Sequence, residues 1–182
     1  MYTYPHTIAS GGGEELTFVG RRRDERGEYL EVRNRVSPGS GPPMHVHFRQ
    51  EEGLTVEQGR IGYQVEGGEK RYASVGETVK FAAGVSHKFW NAGDDDLICS
   101  GYICPPDNIE YFLTEMYAST KENGGKRPSG LDAAWLAYRY RSEFAITEIP
   151  AFVQKTIFPI QRLLAKLTGR YRKYANAPES VG

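Results

Sequence analysis

Two short histidine-bearing segments constrain this chain more than any other feature of its sequence. His45 and His47 stand two positions apart, Glu52 follows His47 by five positions, and His87 lies in the second segment. Because alternate residues of a strand point to the same face, an extended segment directs both His45 and His47 to one side. The odd offset to Glu52 needs a turn or a bulge before that carboxylate can join them. The pattern predicts that these four side chains meet at one place.

This set of side chains predicts a metal site. Imidazoles and a carboxylate suit iron, manganese, nickel, copper or zinc, whereas magnesium and calcium prefer shells made of oxygen. We expect one divalent transition metal ion bound by His45, His47, Glu52 and His87, and we assign no residue to an organic cofactor. Glu52 is also the candidate catalytic residue, because it can either ligate the metal or leave it and act as a base. The sequence does not choose among the five metals.

The spacing of these residues resembles the two motifs of the cupin superfamily. The first motif, G(X)5HXH(X)3–4E(X)6G, is met in full by Gly39, His45, His47, Glu52 and Gly59. The second motif, G(X)5PXG(X)2H(X)3N, is met by Gly76, Gly84, His87 and Asn91. Ala82 replaces the usual proline of the second motif, which affects the rigidity of a turn rather than ligation. The resemblance covers roughly residues 30–105.

The resemblance implies a mainly β fold, a cupin-type jelly-roll β-barrel with a C-terminal helical extension. Short strands predicted at even spacing between residues 16 and 104 agree with such a barrel. Pro105 and Pro106 end the β region. We therefore predict two units, a barrel over residues 1–106 and a helical extension over residues 107–182 that packs on the barrel or on a partner.

Three helices are predicted in the extension. The first is capped by Asp107 and runs to Tyr117, the second covers Asp132 to Phe144, and the third starts near Ile149 and is kinked or split at Pro159. The apolar stripe of the third helix favours docking on the barrel or on a second subunit. Residues 151–182 also carry six Lys or Arg and one acidic residue, so contact with an anionic membrane surface is the less favoured alternative.

The composition narrows the partners and the compartment. The chain carries 23 Lys and Arg against 23 Asp and Glu, which is not the signature of a nucleic-acid-binding protein. Cys99 and Cys104 fall on opposite faces of one predicted strand and cannot easily form a disulfide. Free thiols fit a reducing compartment, and residues 1–6 lack the basic start and apolar run of a signal peptide. We expect a cytoplasmic protein and, from the resemblance, a homodimer in which Tyr4 to Ile8 pair with the neighbouring subunit.

The resemblance does not fix the activity. Four protein ligands leave two positions of a six-coordinate metal open, so our leading prediction is a dioxygenase-type oxidoreductase acting on a small organic molecule. A metal-dependent isomerase or lyase and a non-catalytic binder of a metal or small molecule are the alternatives, and the sequence leaves open whether the chain is an enzyme. The predicted walls of the substrate pocket, chosen because large apolar and aromatic side chains suit a planar ligand, are Met44, Tyr63, Phe81, Phe89, Trp90 and Tyr102.

Overall fold

The computed structural model describes residues 2–150 and 152–182, and within them eleven strands form two antiparallel sheets. The strands are β1 (His6–Ala9), β2 (Glu14–Asp24), β3 (Gly27–Val36), β4 (His45–His47), β5 (Glu51–Gln58), β6 (Arg60–Val65), β7 (Arg71–Ser74), β8 (Thr78–Phe81), β9 (His87–Asn91), β10 (Leu97–Cys104) and β11 (Phe144–Ile146). The first sheet has the order β1-β2-β3-β10-β5-β8, and the second has the order β11-β4-β9-β6-β7. This arrangement confirms the predicted mainly β jelly-roll class.

The two sheets face each other across an apolar core. Leu54 and Leu97 of the first sheet pack in one cluster with Ile61 and Phe89 of the second. The strands alternate between buried and exposed residues, as in β3, where every second residue from Leu30 onward is buried. That alternation is expected of sheets with one face in a core and the other in solvent. It also decides which side chains of each strand reach the interior.

The N-terminal segment is an edge strand of the first sheet, and its predicted pairing with a neighbouring subunit stays a prediction. β1 pairs with β2 of the same chain, with Ile8 opposite Leu16. Ile8 is buried in the cluster that lies between the first sheet and the helices. Its side chain therefore gives this segment an intramolecular place to pack.

The first helix, α1 (Ile109–Glu122), starts later and ends later than predicted. Asp107 does not cap it, because its φ is 37° and its carboxylate accepts hydrogen bonds from the side chains of Arg49 and Gln50. Asn108 is the N-cap residue, and its backbone N–H donates to the buried carboxylate of Glu143. A contact distant in sequence therefore takes the place of local capping.

The second helix, α2 (Gly130–Arg139), is shorter than predicted because Phe144 belongs to a strand. Strand β11 pairs with β4, and Phe144 lies opposite His47. The C-terminal part of the chain thus adds a strand to the second sheet, next to the predicted ligands. The division of the chain into two units at residue 106 stays a prediction.

A π-helical turn (Val153–Ile157) leads into α3 (Phe158–Leu167). Pro159 occupies the first turn of α3, where its missing N–H costs little, and the change of helix type at this point agrees with the predicted split. On the side facing α2, Ala165 is buried and Gln161 approaches Gly130.

The predicted apolar stripe is packed only in part: Tyr174 is buried in the same cluster as Ile8, whereas other members are exposed. At least half of each of the following side chains is exposed: Phe152, Ile160, Leu163, Leu164 and Leu167. Among the described residues, no helix is both long and apolar enough to cross a bilayer.

Candidate metal centre

The four predicted ligands meet inside the barrel, where the two sheets come together. His45 and His47 lie on β4, and His45 is paired directly with His87 on β9. Glu52 lies near the start of β5, in the other sheet. One potential ligand atom from each of the four side chains falls within 4.8 Å of the other three. The predicted turn between His47 and Glu52 is what carries the chain from one sheet to the other.

The second motif supports the first through the backbone. Gly84 has a φ of 79°, a conformation that glycine adopts without steric cost. Its N–H donates a hydrogen bond of 2.7 Å to the carbonyl of His47. This bond ties the turn before β9 to β4, so the loop that leads to His87 is fixed beside the first pair of histidines.

In His45 and His87, Nδ1 is hydrogen-bonded to a backbone carbonyl and Nε2 is the nitrogen available to a metal ion. Nδ1 of His45 lies 2.8 Å from the carbonyl oxygen of Pro43, and Nδ1 of His87 lies 2.8 Å from that of Val85. A carbonyl oxygen only accepts hydrogen bonds, so each Nδ1 carries the hydrogen. Each Nε2 is then the nitrogen left to bind a metal ion, which would replace any proton held there. Nε2 of His87 lies 3.0 Å from Oε2 of Glu52.

His47 completes the fit of the residues to a metal ion. Its side chain is buried, and its Nδ1 has no hydrogen-bond partner among the described residues. A buried polar atom without a partner is costly and calls for an explanation. Burial, reinforced by the charge of His45, lowers the pKa of His47 to about 3, so its imidazole is neutral at physiological pH.

The protonation states of the other members also suit ligation. Burial alone would raise the pKa of Glu52, but the hydrogen bond with His87 and the charges of the three histidines lower it to about 2. Burial, and then the charge of His87, lowers the pKa of His45. Metal binding needs deprotonated ligands. At neutral pH Glu52 is a carboxylate, and His45 and His47 are neutral imidazoles.

The cluster opens into a cavity of about 1330 Å³. His45, His47 and Glu52 line one part of it. The helices supply an apolar wall, in which the lining residues include Ile109, Phe112, Leu113, Met116, Val153, Ile157 and Phe158. A large apolar cavity with a few polar groups is the usual form of a small-molecule site.

The six residues predicted as pocket walls have different places. Phe89 and Trp90 line the cavity. Phe81 stacks on the ring of His87, with the ring centroids 3.9 Å apart, and Tyr63 contacts Phe81 edge-on within the core. Met44 is buried at the start of β4 but is absent from the cavity lining.

Tyr102 lies outside the cavity. Its hydroxyl donates to Glu51, and the guanidinium of Arg26 lies over its ring. The next residue along β10, Ile103, is the one that lines the cavity. Alternation along the strand therefore directs Tyr102 to the other face, and its prediction as a cavity wall is not supported by this position. Substrate contact by the other five residues stays a prediction.

Several polar residues of the cavity were missed by the sequence analysis, because they lie outside the ligand pattern, and three of them come from β2, β3 and α1. These three residues are Glu14, Asn34 and Tyr117. Burial raises the pKa of Glu14 to about 7, and a hydrogen bond from Tyr117 opposes this rise only in part. The available signal was the period of two that Glu14 shares with Leu16 and Phe18, both of which are buried. That pattern makes Glu14 an inward-facing carboxylate.

Comparison with known proteins bears on this centre. A family model described as a cupin domain matches residues 32–101. The "Probable oxidoreductase virH" of Hypocrea virens is 32% identical over 80 residues, which are 43% of this chain and 36% of virH. The "Oxidoreductase iacF" of Pestalotiopsis fici is 29% identical over 76 residues, which are 41% of this chain and 37% of iacF. This chain therefore matches little more than a third of the length of either relative.

Solved structures resemble the barrel at low sequence identity. An uncharacterized conserved protein with a double-stranded β-helix domain from Klebsiella pneumoniae is 20% identical, with a TM-score of 0.44 over 58% of this chain and 82% of that one. KdgF from a Halomonas species is 23% identical, with a TM-score of 0.45 over 53% of this chain and 84% of that one.

Proposed function

Because residues 32–101 of this chain form a cupin domain, we propose that the protein is a mononuclear metal-dependent oxidoreductase of the dioxygenase type. Its substrate would be a small organic molecule bound in the cavity. The observation that carries the proposal is the buried cluster of three histidines and one glutamate that opens into this cavity. Two distant relatives named as oxidoreductases support the same reaction class.

The residues of the cluster would hold the metal ion in a fixed geometry. His45, His47, Glu52 and His87 are the ligands, and the backbone carbonyls behind His45 and His87 orient two of the rings. A redox-active ion in this position would supply electron transfer between the organic substrate and dioxygen. Because the pKa of Glu52 is near 2, this carboxylate holds a proton poorly at neutral pH. Ligation is therefore its favoured role over that of a base.

The walls of the cavity would orient the substrate and exclude water. Phe89 and Trp90 provide flat apolar surfaces in the cavity lining, and α1 adds Phe112 and Met116 to the same lining. Aromatic side chains of this kind pack against planar ligands. Excluding water strengthens the electrostatic interactions at the site.

Metal analysis is the experiment that tests this proposal. Purified, tag-free protein should contain about one equivalent of iron, manganese, nickel or copper, and the His45→Ala/His87→Ala variant should lose it. His6→Ala is the matched control, because His6 is the one histidine outside the cluster. Oxygen uptake is then measured after reconstitution with each metal, using a panel of phenols and dicarbonyl compounds. Absence of metal from both proteins, or of oxygen uptake with every metal, would overturn the proposal.

One observation favours a second candidate, a metal-dependent isomerase or lyase. Such enzymes need an acid or base besides the metal, and Glu14 is a carboxyl group in the same cavity with a pKa of about 7. A group that titrates near the working pH is suited to proton transfer. Conversion of a hydroxy-carbonyl compound without oxygen uptake, abolished by Glu14→Gln, would favour this candidate over the oxidoreductase.

A further inference from the structure

A second polar cluster lies on the wall of the cavity, apart from the four candidate ligands. Glu14 on β2, Asn34 on β3 and Tyr117 on α1 all line this cavity. Glu14 and Tyr117 lie outside residues 32–101, the part of the chain matched by the cupin family model. The segments that flank the matched region therefore supply most of this cluster.

The strand register makes Glu14 and Asn34 neighbours. In the β2–β3 pair, Glu14 lies opposite Val36 and Leu16 lies opposite Asn34. Side chains related in this diagonal way share one face of the sheet, with their Cα atoms roughly 7–8 Å apart. Both side chains consequently line the inner face of the first sheet, within reach of a single ligand group.

Both side chains offer hydrogen-bond acceptors that a ligand could use. Asn34 is 8% exposed, and its Oδ1 has no hydrogen-bond partner among the described residues. Burial raises the pKa of Glu14, and a hydrogen bond from Tyr117 lowers it only in part, so the carboxylate oxygens of Glu14 can accept a further hydrogen bond. Buried acceptors without donors are costly, and a ligand that donates hydrogen bonds removes that cost.

Tyr117 connects this cluster to the candidate ligands. Burial raises the pKa of its phenol, and the charges of Glu14 and of Glu52 raise it further. The phenol of Tyr117 is therefore within electrostatic range of the carboxylates of both Glu14 and Glu52. A molecule that spans this distance would meet the candidate ligands at one end and the second cluster at the other.

We propose that Glu14, Asn34 and Tyr117 form a binding site for a neutral hydroxyl group at one end of an elongated aromatic molecule. The hydroxyl donates to Oδ1 of Asn34 or to the carboxylate of Glu14, and the Tyr117 phenol, whose single hydrogen is donated to Glu14, orients that carboxylate. The apolar body packs against Phe112 and Met116 of the cavity wall. A carboxylate in place of the hydroxyl would be repelled by Glu14. The inference rests on the proposed function in one respect only, which is that the reacting end of the molecule lies at the four candidate metal ligands.

The test uses two probes that differ in one hydrogen-bond donor. They are 4-phenylphenol and its methyl ether 4-methoxybiphenyl, and their dissociation constants are measured by calorimetry on metal-free protein. The wild type should bind the phenol about tenfold or more tightly than the ether, the size of effect typical of a hydrogen bond to a charged group. The same preference should persist in His45→Ala/His87→Ala, because the second cluster does not depend on the candidate ligands.

Variants of the second cluster should abolish this preference. Glu14→Met and Asn34→Leu should each reduce the ratio of the two dissociation constants to about twofold or less, and Tyr117→Phe should reduce it in part. Glu15→Met is the matched control, because Glu15 is the exposed neighbour of Glu14 on the outer face of β2. Thermal melting of each variant identifies any that fails to fold, and Tyr117→Phe, which removes a single oxygen, then keeps the test decisive.

Three results would overturn the inference. They are equal affinity of the wild type for the two probes, failure of both probes to bind, and a preference that is lost in His45→Ala/His87→Ala but kept in Glu14→Met. The last result would move the hydroxyl to the candidate metal ligands. If the wild type prefers the phenol but the separate metal analysis finds no metal, the proposed function is overturned and this binding site is supported.

Discussion

Nε2 of His87 lies 3.0 Å from Oε2 of Glu52, although the two residues belong to strands of different sheets. The contact is buried and joins β9 to β5 across the interior of the barrel. A metal ion bound between these side chains would hold the two sheets together at this point. Metal binding and the stability of the barrel are therefore expected to be linked.

Removal of the metal should make the protein less stable. A ligand that binds only the folded state adds about 2.7 kcal/mol when its free concentration is 100 times its dissociation constant. We expect the thermal midpoint to fall when a chelator is added and to recover when the metal is restored. The His45→Ala/His87→Ala variant should show no such response. A midpoint that the chelator leaves unchanged in the wild type would contradict the link.

Substitution of the carboxylate should weaken metal binding. Glu52→Gln keeps the size of the side chain but removes the negative charge. We expect the metal affinity to fall by more than about tenfold, because loss of a direct ligand should cost at least as much as loss of a partner behind a ligand. Glu51→Gln is the control, because Glu51 accepts its hydrogen bond from Tyr102 on the other face of the same strand. Competition with a chromophoric chelator measures both affinities. Equal affinities for Glu52→Gln and the wild type would exclude Glu52 as a ligand.

In the metal-free protein, protonation of His47 should lower the stability as the pH falls below about 6.5, whereas Glu14, whose pKa rises from 4.5 to about 7 on folding, acts in the opposite direction. The pKa of His47 is near 3 in the folded state and 6.5 for an ordinary histidine, so between these values the unfolded state binds more protons, and acid favours unfolding. Glu52, whose pKa falls from 4.5 to about 2 on folding, adds a second loss below pH 4.5. Urea unfolding between pH 7.5 and 4 measures the slope. The contribution of His47 is the difference in slope between the wild type and His47→Gln, and we expect the loss of stability on acidification between pH 6.5 and 4.5 to be smaller in the variant; equal slopes would contradict the prediction.

Asp132 should be important for holding the C-terminal helices together. Its fully buried carboxylate lies 2.9 Å from Nη2 of Arg170 and 3.1 Å from Nζ of Lys173, and the hydroxyls of Ser119 and Ser129 donate to it. Although burial would raise its pKa, these partners hold the pKa below the ordinary range.

We expect Asp132→Asn to lower the free energy of unfolding by about 1–3 kcal/mol, because it leaves two partly exposed cations without their partner. Urea unfolding measures this change. Glu122→Gln, at the exposed end of α1, is the control and should have little effect. A loss no greater than that of the control would contradict a structural role for Asp132.

The homodimer expected from the resemblance can be tested by light scattering. The chain has a mass of 20.4 kDa, so a homodimer should give a value of about twice that mass. A value equal to the mass of one chain, at the protein concentration used for activity measurements, would contradict the expectation.

Much of the barrel could be predicted because its signals are local. The alternation of apolar residues, together with turn glycines such as Gly59 with its φ of 81°, predicted the positions of strands β2 to β10. The spacing of His45, His47 and Glu52 predicted that these side chains would come together, since it reflects the face of a strand and the length of one turn.

The elements that the sequence analysis assigned wrongly depend on distant contacts. Phe144 was assigned to a helix because its local pattern is helical, but the chain pairs it with His47 in a sheet. Asp107 was assigned as a helix cap, but Arg49 and Gln50 engage its carboxylate. In both cases a partner about 60 to 100 residues away decided the conformation, and propensity is a weak guide against such contacts.

By itself, the sequence determined the set of candidate ligands and most of the strands, because the spacing of residues along a strand fixes which side chains share a face. Only the tertiary structure decided what surrounds those ligands. It set Glu14 and Asn34 side by side through the register of β2 and β3, and it brought Tyr117 and the apolar face of α1 to the same cavity. The reason is that a cavity is bounded by elements far apart in sequence, whose packing no local pattern encodes.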